Sequence, residues 1–154
     1  MTAAAQRSER LEAWALELGF DRVGVAVLEP VATGGAFLHW LERGEQAGMH
    51  YMEGRSEVRL DPRRVFEGAR SAVCVALQYD PVDAPDTTGD LWPRVARYAR
   101  GRDYHNLMIK RLRRLARRVE EGFPGCRTKP YVDTGPVLER DLAAKAGLGA
   151  VGMN

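Results

Sequence analysis

Apolar residues recur at Leu11, Trp14, Ala15 and Leu18 within an otherwise polar stretch, the spacing of one face of a helix. Gly19 follows as a natural stop, because glycine takes the left-handed backbone that ends helices. The period then changes. RVGVAV (22–27) is short, β-branched and interrupted by one glycine, which predicts a strand. FLHWLERG returns to helical spacing and ends near Gly44.

From 47 to 70 the chain reads AGMHYMEGRSEVRLDPRRVFEGAR, with no clean period. A long loop with one short helix after Asp61 is expected, since Asp–Pro offers a cap and a first-turn proline. SAVCVALQY (71–79) is nearly all apolar and predicts a central strand covered on both faces. Residues 80–93 form a polar, proline-containing loop. A long helix is expected from Tyr104 to Glu121, burying Leu107, Leu112, Leu115, Ala116 and Val119. KPYVD (129–133) predicts a short strand, and Thr134–Gly135–Pro136 the start of a helix running to Gly147. Helices alternating with a few apolar strands point to a layered α/β domain.

A chain of 154 residues, 45% hydrophobic and 29% charged, holds one well-buried domain rather than two. No apolar run is long enough to cross a bilayer, and MTAAAQRSER lacks the apolar core of a signal peptide. These features predict a cytoplasmic protein with no membrane partner. The GLGAVGMN ending reads as a loop leading into something further, so a truncated chain is expected. The two cysteines are too few for a disulfide framework or an iron–sulfur cluster; Cys74 reads as a core residue and Cys126 as a loop thiol.

Net charge is only +2, but ten of the 23 basic residues fall between Arg94 and Arg118. Lys110, Arg111, Arg113, Arg114, Arg117 and Arg118 form a basic helix face. Such a face either contacts nucleic-acid phosphates or is simply solvated. Asp133 stands at a strand-to-helix junction, where ligands of α/β sheets usually bind. A carboxyl there serves as a proton donor if its surroundings raise its pKa, or it caps the following helix. Glycines 147, 149 and 152 superficially match a dinucleotide fingerprint, yet they follow a helix instead of opening one.

Three stretches go further: MHYMEGRSEVRLDPRRVFEGARSAVCVALQY, ARYARGRDYHNLMIKRLRRLA and YVDTGPVLERDLAAKAGLGAVGMN. In this order they resemble the amino-terminal part of epoxyqueuosine reductases, and ARYARGRDYH and VDTGPVLER…AGLG are the most specific pieces. The resemblance covers the chain from about Arg22. It implies a helix–sheet–helix cobalamin-binding domain with a mixed sheet, spanning 1–154 and cut before a ferredoxin-like iron–sulfur region. The implied activity is reduction of epoxyqueuosine to queuosine at the wobble position of tRNA, with cobalamin and two 4Fe–4S clusters. Reducing the epoxide to an alkene takes two electrons and a proton on the departing oxygen; cobalt carries the electrons and the protein supplies position and protons.

Carried over by position, Asp133 resembles the family's proton donor. Tyr104 matches a substrate-pocket position, and His105 and Arg140 lie at the substrate or cofactor pocket. Arg55, Arg97, Tyr98, Thr134, Gly149, Gly152, Met153 and Asn154 would line the corrin. Arg140 lies seven residues after Asp133, two helical turns along, and is expected to hold an anion instead of contacting Asp133. No residue is expected to ligate a metal, since DYH (103–105) departs from the D-x-H-x-x-G cobalt signature at Met108. Ala150 and Met153 stand where the family usually has an aromatic residue and a lysine. The implied partners are the tRNA anticodon stem-loop and the missing iron–sulfur half, without which the chain is expected to be inactive. The alternatives are a non-catalytic RNA-binding module and a cobalamin-processing or dehalogenase-like relative.

Overall fold

A computed structural model describes residues 2–79 and 102–150 of the chain. Helix α1 (Ala3–Glu17) is capped by the Thr2 hydroxyl and ends where Gly19 takes φ 82°. Strand β1 (Arg22–Val27) follows, then helix α2 (Gly34–Glu42). Two 3-10 turns (His50–Met52 and Pro62–Val65) flank helix α3 (Ser56–Leu60). Strand β2 (Ser71–Ala76), helix α4 (Tyr104–Gly122) and helix α5 (Glu139–Lys145) complete the described chain.

Among the described residues the sheet has two strands, antiparallel, with Arg22 opposite Ala76 and Val27 opposite Ser71. Alternation along a strand places successive residues on opposite faces. Val23 and Val75 face the core of Ala15, Leu18, Phe20 and Leu115, so α1 and α4 cover that side. Gly24 faces the other way, toward the end of α5. A Cβ there would lie 2.2 Å from the Ala146 carbonyl oxygen, so only glycine permits this approach. The glycine that interrupts the strand pattern is therefore a packing requirement.

Several contacts fix α1 and α5. Trp14 packs on Phe123 with ring centroids 5.4 Å apart, and Gly122 leaves the room that the indole fills. Arg111 Nη1 donates to the Gly19 carbonyl at 2.6 Å, and Arg118 pairs with Glu17. On α5, Asp141 accepts from the Thr33 hydroxyl at 2.7 Å and Lys145 pairs with Glu29.

The structure departs from the sequence reading in five places. The 47–70 stretch holds three short helical pieces, not one; Asp61 does cap the piece begun by Pro62. Strand β2 stops at Ala76, and Val73 is exposed, so among the described residues it is not covered on both faces. Leu107 is exposed, because the packed face of α4 runs through Met108, Leu112, Leu115 and Val119. Residues 129–132 join no strand, and Asp133 begins a bend. Helix α5 begins at Glu139, five residues later than expected, because the bend at 133–137 uses up the Thr-Gly-Pro signal. The 80–93 loop lies outside the described residues. No helix among those described is long and apolar enough to cross a membrane.

Candidate active site

The first turn of α4 and the bend before α5 meet through three side chains. Asp103 caps α4, its Oδ1 accepting from the His105 N–H at 2.9 Å, which satisfies one of the donors a helix start leaves open. The same oxygen lies 2.8 Å from His105 Nδ1. One aspartate thus sets both the helix start and the orientation of the ring. On the ring's far side, Nε2 is 3.2 Å from Asp133 Oδ2, and the Tyr104 hydroxyl donates to that oxygen at 3.2 Å. The Tyr104 and His105 rings stack with centroids 4.1 Å apart.

A neutral imidazole has one N–H, whereas a ring between two carboxylates is best matched by the cation, which donates from both nitrogens. The bond to Asp103 is the largest influence and holds His105 above its ordinary value; desolvation opposes it, and the bond to Asp133 adds a lesser rise. His105 in turn holds Asp103 below the usual carboxylate range.

Asp133 has φ 56°, a left-handed conformation that aspartate tolerates better than most residues. Its N–H donates to Glu139 Oε1 at 2.8 Å. Desolvation pushes the Glu139 carboxyl up, opposed by that Asp133 N–H. Gly135 lies against Tyr131 so closely that a Cβ would come within 2.8 Å of the ring. The Gly135 carbonyl accepts from the buried Arg59 at 3.3 Å. Arg59 Nε has no partner among the described residues. Tyr104, Asp133, Glu139 and Arg140 line a cleft of about 530 Å³, whose other walls hold apolar side chains of β2 and α4 together with Arg127, Thr128 and Lys129.

Of the residues singled out from the sequence, the structure gathers Asp133, Tyr104 and His105, with Arg140 on the same cleft and Thr134 exposed beside Asp133. Asp133 precedes α5 instead of sharing it, so the two-turn relation to Arg140 does not hold; Glu139 is the residue bonded to Asp133. Asp133 caps no helix either, since the N-cap of α5 is Leu138. Arg55 is exposed at the start of α3 with φ 62°, and Gly149 is exposed beyond α5. Neither bonds to this cluster. Arg97, Tyr98, Gly152, Met153 and Asn154 lie outside the described residues. Of the basic face, Arg111 and Arg118 are spent on Gly19 and Glu17, while Lys110, Arg113, Arg114 and Arg117 stand exposed.

Sequence reasoning missed Glu139 and Arg59. A glutamate in a helix's first turn is ordinary, and nothing local marks Arg59, whose partner lies 76 residues away.

The family model for epoxyqueuosine reductase QueG, DUF1730, matches residues 59–134. Over 152 residues the chain is 40% identical to an epoxyqueuosine reductase of Gloeobacter violaceus, across 97% of this chain and 46% of that protein. A crystal structure of epoxyqueuosine reductase with an epoxyqueuosine-modified tRNA stem loop is similar with a TM-score of 0.76 and 28% identity, over 95% of this chain and 39% of that one. The Bacillus subtilis epoxyqueuosine reductase, in a structure with an aspartate catalytic loop swung out of the active site, gives a TM-score of 0.75 at 26% identity, over 94% and 39%. The chain spans under half the length of these relatives.

Proposed function

We propose that this chain, similar over nearly all its length to epoxyqueuosine reductases, forms the proton-handling part of an enzyme reducing epoxyqueuosine to queuosine in tRNA. The observation that carries this reading is the convergence of Tyr104 and His105 on one carboxylate oxygen of Asp133 beside a cleft.

Removing an epoxide oxygen to leave an alkene consumes two electrons and two protons, the oxygen leaving as water. Asp133 is the proposed donor to that oxygen, and Tyr104 orients its carboxyl. His105, held by Asp103 and protonated, stands 3.2 Å away and returns a proton to Asp133 after each transfer. The bend carrying Asp133 is proposed to take two positions, in toward the cleft and out; the aspartate catalytic loop of the Bacillus subtilis relative is swung out of its active site.

Cobalamin fits this cleft as a proposal: a polar edge of Asp133, Tyr104 and Arg140 beside apolar walls suits one face of a large macrocycle. It would supply the electrons when bound. Thr134 would hold it beside Asp133, with Arg55, His105, Arg140 and Gly149 as further proposed contacts. Arg97, Tyr98, Gly152, Met153 and Asn154 belong to the proposal by resemblance alone. So do the layered, mixed-sheet cobalamin-binding domain and the cytoplasmic setting. The two 4Fe–4S clusters and the iron–sulfur region that would carry them are proposed to lie in the part of the family's length this chain does not span. The chain without them is proposed to be inactive.

An absorption titration of the folded chain with cobalamin tests the reading. A saturable spectral change, altered in Asp133→Ala, is expected; a flat titration would sink the cofactor assignment. A second reading, an RNA-binding module, rests on Lys110, Arg113, Arg114 and Arg117, exposed at i, i+3, i+4 and i+7 on α4. This stripe is about 10 Å long. Stem-loop binding that weakens steeply with salt, yet ignores both cobalamin and Asp133→Ala, would favour it.

A further inference from the structure

Glu139 opens α5 and reaches back across the bend to the Asp133 N–H at 2.8 Å. That is the shortest hydrogen bond Asp133 makes among the described residues; its carboxylate contacts with Tyr104 and His105 are each 3.2 Å. The backbone there needs support, because φ 56° is strained for a residue with a side chain. The acceptor also comes from a fixed element. Helix α5 is bonded to Thr33 through Asp141, paired with Glu29 through Lys145, and seated against Gly24 at its far end. Arg59, bonded to the Gly135 carbonyl, steadies the other side of the same bend.

We infer that Glu139 is a positioning residue, a latch whose carboxylate holds the Asp133 peptide so that the Asp133 carboxyl meets Tyr104 and His105. The value of the latch to the reaction rests on the role proposed above for Asp133; its existence does not. Glu139 need not touch any substrate. Breaking its bond frees the bend to rotate out of the left-handed region and carries the Asp133 carboxyl away from the ring.

Amide spectra, hydrogen exchange and the His105 ring titration of the isotope-labelled chain test this, in Glu139→Gln and Glu139→Ala. Glutamine removes the charge but keeps an oxygen acceptor, so the Asp133 amide is expected to stay near its native shift. Alanine removes both, and the amide is expected to move upfield and exchange about tenfold faster or more. The His105 ring is bonded to Asp103 and Asp133 and feels the Glu139 charge only at longer range, so loss of that charge alone lowers its midpoint slightly in both variants. A further drop in Glu139→Ala reports the departure of Asp133. Native amide behaviour in Glu139→Ala, or equal His105 midpoints in the two variants, would overturn the latch. So would loss of the amide shift in Glu139→Gln. Should Glu139→Ala fail to fold, Glu139→Asp, one methylene too short, carries the same amide expectation. These readouts use neither cofactor nor RNA, so a flat cobalamin titration leaves them standing, and an unlatched Asp133 leaves cobalamin binding to be judged separately.

Discussion

Replacing Gly24 by alanine tests how α5, and with it the active-site bend, is held against the sheet. The added Cβ would lie 2.2 Å from the Ala146 carbonyl oxygen and 3.1 Å from that residue's carbonyl carbon and Cβ. Ordinary contact begins near 3.4 Å, so the two backbones must part by about 1 Å. Neither partner is the flexible end of a side chain, which places the cost toward the top of the range of about 1–3 kcal/mol for overpacking. Alanine in place of a strand glycine returns about 0.5–1 kcal/mol. The net loss is then about 2 kcal/mol, or a Tm lower by about 4–8 °C for a chain of this size. Unfolding followed by circular dichroism measures it. Gly35→Ala in α2 is the control, since nothing lies within 4 Å of its added Cβ; it should be neutral or more stable by up to about 1 kcal/mol. If Gly24→Ala proves as stable as Gly35→Ala, α5 does not rest on β1 as described and the argument fails.

The His105 ring titration should have its midpoint above that of free histidine, and Asp103→Asn should lower it more than Asp133→Asn, because the Asp103 bond is the largest cause of the shift. The opposite order would refute the assignment of the ring's main partner. Since the folded value is raised above the unfolded one near 6.5, the stabilisation from this pairing is complete below that pH and fades as pH rises through the folded value. Burial, with a smaller contribution from Glu139, pushes the Cys74 thiol up to about 11. At pH 8 only about one molecule in a thousand carries the thiolate. A thiol reagent should therefore label exposed Cys126 first and Cys74 slowly; equal rates would contradict the burial.

What the sequence made legible was local. Leu11, Trp14, Ala15, Leu18 and Gly19 announce α1 and its end, and RVGVAV matches β1 residue for residue. The long α4 lies within a residue of its expected bounds. Positions set by distant contacts were not legible. KPYVD has strand composition, but nothing within the five residues says whether a neighbour will pair with them. Leu107 and Leu112 look alike in a helical pattern; only the position of α1 decides which is covered. The same holds in the site. Asp133 was marked by its expected strand-to-helix junction and, with Tyr104 and His105, by motif resemblance, while Glu139 emerged only when the bend placed its carboxylate on the Asp133 amide.

The core of Ala15, Leu18, Phe20 and Leu115 joins residues almost a hundred positions apart, and this has a consequence for synthesis. At about 5–20 residues per second, a ribosome takes roughly 5–20 s between making Leu18 and Leu115. Through that interval the apolar face of α1 has no α4 to cover it. The nascent chain is thus exposed to chaperones and to self-association for seconds, and it closes its core only after most of its length has emerged.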